Sequence, residues 1–140
     1  MSRYIHEDYM KTAVRINLLK KRIEMAMQIL KKKKVCFDTI AFRGMSGAIL
    51  GTSLALLLNK QIIMVRKSKQ NTHSDYLVEG FRQSKKFLIV DDFVSSGNTA
   101  REIIRRVKQI SPTAVCAGIL EVTKQNRPRF TDTAHLKDIL

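Results

Sequence analysis

The sequence predicts one α/β domain, a parallel β-sheet with helices on both faces, arranged in three layers. Three observations carry that expectation. VCFDTIAF (35–42), QIIMVR (61–66), KFLIVD (86–91) and TAVCAGILEV (113–122) are short apolar runs of the kind found in strands buried on both sides. Stretches with helical apolar spacing separate most of them. The first three runs end at Arg43-Gly44, Arg66-Lys67 and Asp91-Asp92, and parallel sheets bind ligands beyond the carboxyl ends of their strands.

Residues 7–33 read as a long amphipathic helix. Tyr9, Ala13, Ile16, Ile23, Met27 and Leu30 share one face, with Lys11, Arg15, Arg22 and Lys32 opposite. The KKKK run at 31–34 closes it, where cations suit the negative end of the helix dipole. The first strand follows at 35–42. GAILGTSLALLLN (47–59) reads as a helix, whose Gly47, Ala48, Gly51 and Ser53 permit close approach to a sheet. The second strand is 61–66. Residues 67–85 lack apolar periodicity and read as a long polar loop, unusual in a compact domain unless it serves a function. After the third strand (86–91), NTAREIIRRVKQI (98–110) reads as a helix with Ala100, Ile103, Ile104 and Val107 inward. Its Arg101, Arg105 and Arg106 form a solvated face, with Arg101 within a turn of the helix start. The fourth strand is 113–122, and a short helix starts near Thr133. The expected organisation is a single domain over 1–140: an N-terminal helix in 1–34, a core in 35–123 and a tail in 124–140.

Composition narrows the function classes. No apolar run reaches the roughly 18 residues of a membrane span. The start, MSRYIHEDYMK, is too polar for a secretory signal. Cys36 and Cys116 lack metal-ligand spacing and read as reduced core residues in strands. The expectation is a cytoplasmic protein with no membrane contact. The formal net charge is +14, divided evenly between residues 1–34 and 35–140. Such a field attracts anions, whether on a solvated surface, along nucleic acid or in a polyanionic small substrate. Few aromatics and no recognised nucleic-acid motif make nucleic acid the less favoured of these partners.

The chemistry concentrates in FLIVDDFVSSGNTA (87–100). One aspartate could cap a turn and the other face solvent, but that leaves the next residues unexplained. Gly97 can take backbone angles closed to other residues. Ser95, Ser96 and Thr99 supply hydroxyls. The unpaired N–H groups opening the 98–110 helix complete an anion cradle. Carboxylates beside a phosphate cradle suit a ligand with vicinal hydroxyls and a phosphate, such as a ribose 5-phosphate.

This stretch resembles the phosphoribosyl-pyrophosphate (PRPP) signature of type I phosphoribosyltransferases: a hydrophobic strand, an acidic pair, and a hydroxyl loop ending Gly-x-Thr. FDTIAFRGMSGAILGTSLALLL resembles the family's first strand, pyrophosphate loop and helix. IIMVRKSKQNTHSDYLVEG resembles its second strand, following basic residues and mobile catalytic loop. Together these cover roughly 36–123. The resemblance implies a Rossmann-like three-layer fold and transfer of ribose 5-phosphate from PRPP to a nucleobase or related nitrogen heterocycle, with release of pyrophosphate. It implies that Asp91 and Asp92 hold the ribose hydroxyls, and that Ser95, Ser96, Gly97, Asn98 and Thr99 bind the 5-phosphate. Arg43, Gly44, Met45 and Ser46 would contact pyrophosphate, and Arg66 and Lys67 would neutralise it. The loop from 67 to 80, with Lys69 and His73, would close over the site, although a lone loop histidine is equally well a solvated residue. The expected cofactor is Mg²⁺, held mainly through substrate and in part by Asp91 and Asp92. A homodimer is expected, since the 7–33 helix has more apolar face than a small sheet needs.

Two departures qualify the resemblance. The family's 6-oxopurine enzymes carry an aspartate at the position of Ser95, so the sequence counts against that acceptor class. The base-covering hood of the family would have to be built from 1–34 and 124–140, and is reduced or absent. In the tail, Phe130 either stacks on a base or, as favoured, anchors the chain. A regulator or nucleic-acid-binding module on the same fold, with altered catalysis, is the alternative.

Overall fold

The computed structural model describes residues 15–67, 77–91, 97–122 and 127–136. Helix α1 (Ile16–Lys32) leads to β1 (Thr39–Arg43), α2 (Met45–Leu58), β2 (Gln61–Val65), β3 (Val78–Gly80), β4 (Lys86–Asp91), α3 (Asn98–Ile110), β5 (Val115–Val122) and β6 (Pro128–Asp132). The strands form one sheet in the order β3-β2-β1-β4-β5-β6. The inner four are parallel, while β3 on β2 and β6 on β5 are antiparallel edges.

Alternate residues of each strand face opposite sides. Ile40, Phe42, Leu88, Val90 and Leu120 pack beneath α1 and α2, whereas Ala41, Ile63, Phe87, Ile89 and Ile119 pack beneath α3. Burial on both faces is why the inner strands read as continuous apolar runs. From α3, Ala100, Ile103 and Val107 are fully covered, as their spacing predicts. Each large aliphatic side chain so buried stabilises the fold by about 1.5–3 kcal/mol. Chain connections run to one side of the sheet from β1 and to the other from β4. The switch point therefore falls between the carboxyl ends of β1 and β4.

Several expectations change. The stretch read as an all-loop segment contains β3, so the chain makes a β2–β3 hairpin around residues 66–77. Within the tail, β6 is an addition that the apolar pattern did not predict; residues 133–135 after it form a turn, and residues 137–140 of the helix expected from near Thr133 lie outside the described residues. Asp132 then turns the chain by accepting hydrogen bonds from the backbone N–H groups of Ala134 (2.9 Å) and His135 (3.2 Å), and Leu136 closes into the α3-side core. Phe130 packs on the other core, in agreement with an anchoring role. Gly118, with φ +147°, makes room for β6: a Cβ there would stand 2.4 Å from the Thr131 carbonyl oxygen.

In α1, Ile23, Ala26 and Leu30 are buried, but so is Arg22, expected on the outer face, while Ile16, expected inside, is 62 % exposed. Residues 7–14 of the expected helix lie outside the described residues. Cys36 is also corrected. The strand begins only at Thr39, because Asp38 terminates the preceding coil, and Cys36 in that coil is exposed. Asp38 accepts hydrogen bonds from the Thr39 and Ser84 hydroxyls and from the backbone N–H groups of Lys85 and Lys86. Partial burial pushes its carboxyl up, but the Thr39 hydroxyl, the two amides and Ser84 together outweigh burial and hold it below its ordinary range. Cys116 is buried as expected, and burial pushes its thiol up to about 11. No helix among the described residues is long and apolar enough to cross a membrane.

Candidate active site

Three strand ends meet at the switch point. Beyond β1, Gly44 takes φ +84° and acts as the N-cap of α2, so the helix starts two residues earlier than its apolar pattern suggests. The Ala48 N–H donates to the Gly44 carbonyl (3.0 Å), which leaves the preceding N–H groups at the helix opening for an anion. Lys67, two residues beyond β2, arches over this turn. Its Cε lies 3.2 Å and its Nζ 3.6 Å from where a Gly44 Cβ would stand. A cation is thus held against a helix N-terminus, a combination that favours a polyanion.

At the tip of β4, Asp91 is buried at 5 % exposure. Its Oδ1 lies 4.0 Å from a would-be Gly47 Cβ, which would also meet the Val90 carbonyl at 3.3 Å. Glycine at 47 therefore lets the first turn of α2 ride over the end of β4 and brings the pyrophosphate-loop candidate beside the carboxylate. Gly97, with φ +77°, is the N-cap of α3, and the Arg101 N–H donates to its carbonyl (2.9 Å). Asn98 and Thr99 open that helix. The Asn98 side chain accepts a hydrogen bond from the Arg101 guanidinium (2.9 Å), whereas Arg105 and Arg106 pair with Glu102.

Of the remaining expected residues, Arg43 ends β1 with its Nε buried and without a hydrogen-bond partner among the described residues. Met45 is exposed and Ser46 buried in the first turn of α2, so Met45 offers this turn its backbone rather than packing. Arg66 donates to Glu79 (3.1 Å), a pair that clasps the base of the β2–β3 connection. Lys69, His73, Asp92, Ser95 and Ser96 lie outside the described residues. Among the described residues, then, Gly44, Ser46, Lys67, Asp91 and the opening of α3 gather at one edge of the sheet.

One residue of this edge was missed. Glu121 is the ladder neighbour of Asp91, is buried at 4 % exposure, and is ion-paired with Arg129 of β6. The available signal was a single charge inside the apolar run AGILEV, since a buried carboxylate needs a partner. Asp91 and Glu121 supply oxygen donors of the kind Mg²⁺ prefers, but no cluster of three or more acidic, histidine or cysteine side chains able to hold a metal occurs among the described residues. The fit is to a metal carried largely by substrate oxygens.

Comparison with known proteins agrees with this geometry. No protein-family model matches the chain. It is 29 % identical over 116 residues to an orotate phosphoribosyltransferase of Archaeoglobus fulgidus, covering 79 % of this chain and 62 % of that protein. It is 30 % identical over 107 residues to the transcriptional regulator GfcR of Methanocaldococcus jannaschii, covering 71 % of this chain and 51 % of the regulator. The chain thus spans between half and two thirds of these relatives' length. Among solved structures, adenine phosphoribosyltransferase of Saccharomyces cerevisiae, complexed with an imino-altritol bisphosphate and adenine, superposes with a TM-score of 0.62 at 25 % identity, covering 78 % of this chain and 69 % of that one. With a mostly parallel six-stranded sheet of the type I phosphoribosyltransferase fold and these relatives, the chain belongs to the phosphoribosyltransferase family.

Proposed function

We propose that the protein transfers ribose 5-phosphate from PRPP to a ring nitrogen of a nucleobase or similar heterocycle. The observation that carries this reading is the convergence of Lys67 on the Gly44 turn beside the buried Asp91. Asp91, with Asp92, accepts hydrogen bonds from the ribose hydroxyls. The opening of α3, with the hydroxyls of Ser95, Ser96 and Thr99, holds the 5-phosphate. Arg43, Gly44, Met45 and Ser46 take the pyrophosphate, and Lys67 with Arg66 neutralises the charge that grows on it as it departs. The anomeric carbon exchanges its bond to a pyrophosphate oxygen for one to the acceptor nitrogen, whose proton passes to solvent. Mg²⁺ bound with the substrate would further withdraw charge from the leaving group. Lys69 and His73 belong to the segment that would close over the reacting sugar and exclude water.

Ser95, where 6-oxopurine enzymes carry an aspartate, together with relatives named for orotate and adenine, favours an acceptor outside the 6-oxopurine class. Calorimetry with PRPP and Mg²⁺, followed by pyrophosphate release against a panel of bases, tests the reading. Asp91→Asn should weaken PRPP binding by roughly ten- to a hundredfold, the loss of charge-assisted hydrogen bonds to two hydroxyls. Absence of heat from the unaltered protein would overturn it. A second reading, a PRPP-responsive regulator, is favoured by the GfcR similarity and the +14 charge, and would show PRPP binding without pyrophosphate release for any base.

Pairing of two copies belongs to the proposal, on a different surface from the one the sequence suggests. The buried stripe of α1 is already used against α2 and β6. Helix α2 has no charged residue and exposes Leu56 (81 %) and Leu57 (59 %). In so basic a chain an uncharged helix face is where two copies meet without like-charge repulsion.

A further inference from the structure

At the amino-terminal edge of the sheet, opposite Gly44 and Asp91, lies a cavity of about 670 Å³ between the end of α1, the coil before β1 and the end of α2. That volume is within the roughly 300–1,000 Å³ of small-ligand sites. Met27, Val35, Phe37 and Leu58 make its walls apolar, and Lys31 and Lys60 stand at its rim. The Lys60 ammonium lies 5.1 Å from the centroid of the Phe37 ring.

The fold adds further cations around this opening. Lys32, Lys33 and Lys34 are exposed where α1 ends, and Lys85 and Lys86 are exposed where β4 begins. Lys60 precedes β2 and Lys86 opens β4, on either side of β1, so their backbones stand about 10 Å apart at two strand spacings. Glu24 in the cavity wall and Asp38 offset this charge in part. The Asp38 carboxylate is turned onto Thr39, Ser84 and the Lys85 and Lys86 amides. Lysines from two distant stretches, Lys31 and Lys60, thus line an apolar slot, and a third group at Lys85 and Lys86 stands two strand spacings from Lys60.

We infer that this edge binds single-stranded nucleic acid, with one base inserted in the slot beside Phe37 and successive phosphates on the surrounding lysines. An apolar pocket alone would take many ligands. From the lining Lys60 the charge continues to Lys86, about 10 Å away and further than one phosphate reaches, and that fits a strand rather than a free nucleotide. A duplex would keep its bases stacked away from the slot. The surface is distinct from the proposed PRPP site, so occupation of each is separately measurable.

Cys36 lines the cavity and is exposed, whereas Cys116 is buried with a raised thiol pKa, so alkylation of the native protein reports on Cys36. A saturating single-stranded oligonucleotide of about a dozen nucleotides should slow maleimide reaction at Cys36 roughly fivefold or more, and PRPP should not. Three lysine–phosphate contacts should weaken oligonucleotide binding roughly twentyfold between 50 and 200 mM salt. Lys31→Glu with Lys85→Glu should weaken it more than roughly tenfold. Arg15→Glu with Lys108→Glu, an equal charge change elsewhere, should cost less than about twofold. Full-speed alkylation at saturating oligonucleotide, or equal losses in the two double variants, would overturn the assignment. So would equal protection by a free nucleoside monophosphate, or protection that rises with protein concentration alone, the latter reassigning the slot to a second copy.

Discussion

Lys67→Met removes one charge while keeping the apolar stem and nearly the length of the side chain. In the structure Nζ lies 3.6 Å from the position a Gly44 Cβ would occupy, so a phosphate oxygen seated on the opening of α2 would lie about 4 Å from the ammonium. Two unit charges at that distance attract by about 1 kcal/mol in bulk water and about 4 kcal/mol at the effective dielectric near a protein surface. Lys67 is exposed, which places its contribution toward the lower part of that interval, at about 2 kcal/mol. The dissociation constant for PRPP should therefore rise roughly thirtyfold. Titration calorimetry with PRPP and Mg²⁺ reads this directly, and thermal unfolding should be unchanged because Lys67 packs into no core cluster. Raising the ionic strength should shrink the gap between parent and variant, since salt screens an exposed charge. Binding by the folded variant within about twofold of the parent at low salt would refute the reasoning that Lys67 serves the Gly44 turn.

Gly118→Ala should destabilise the protein by about 3 kcal/mol, because φ is +147° and the new methyl would stand 2.4 Å from the Thr131 oxygen, so β6 must shift; urea unfolding measures it, and an unchanged midpoint would contradict the packing of β6. Asp38→Asn should cost about 1 kcal/mol near neutral pH, since the hydrogen bonds that anchor the starts of β1 and β4 are solvent-accessible and Asn keeps one acceptor oxygen. Because the folded-state pKa of Asp38 is depressed from its ordinary 3.8, its stabilisation is present above that value and is lost as pH falls through the lower folded value. Parent and variant stabilities should converge in acid, and a constant difference down to the acid transition would argue against the charge. Leu56→Glu should leave the fold intact and shift light scattering toward the 16.0 kDa chain mass; scattering equal to that of the parent protein would remove α2 as the pairing face.

The linear order of residues determined the inner sheet and one half of the site. Apolar runs such as KFLIVD and the spacing of Ala100, Ile103 and Val107 report local periodicity, which burial on a sheet requires directly. Asp91 and Gly97 stand out because a carboxylate after a buried strand and a glycine before a helix have meaning within a few residues. The edges of the sheet were not legible. β3 and β6 are three and five residues long, and each gains its identity from an antiparallel neighbour rather than from its own pattern. Arg22 and Ile16 exchanged faces because a helix buries what its neighbours cover, whatever its own stripe suggests. Tertiary structure alone brought Lys67 over Gly44, set Glu121 beside Asp91, and brought Lys31 and Lys60 together at one apolar slot. Such meetings depend on strand order and crossover connections. Those are decided by the free energy of the whole packed chain, which no short window of sequence contains.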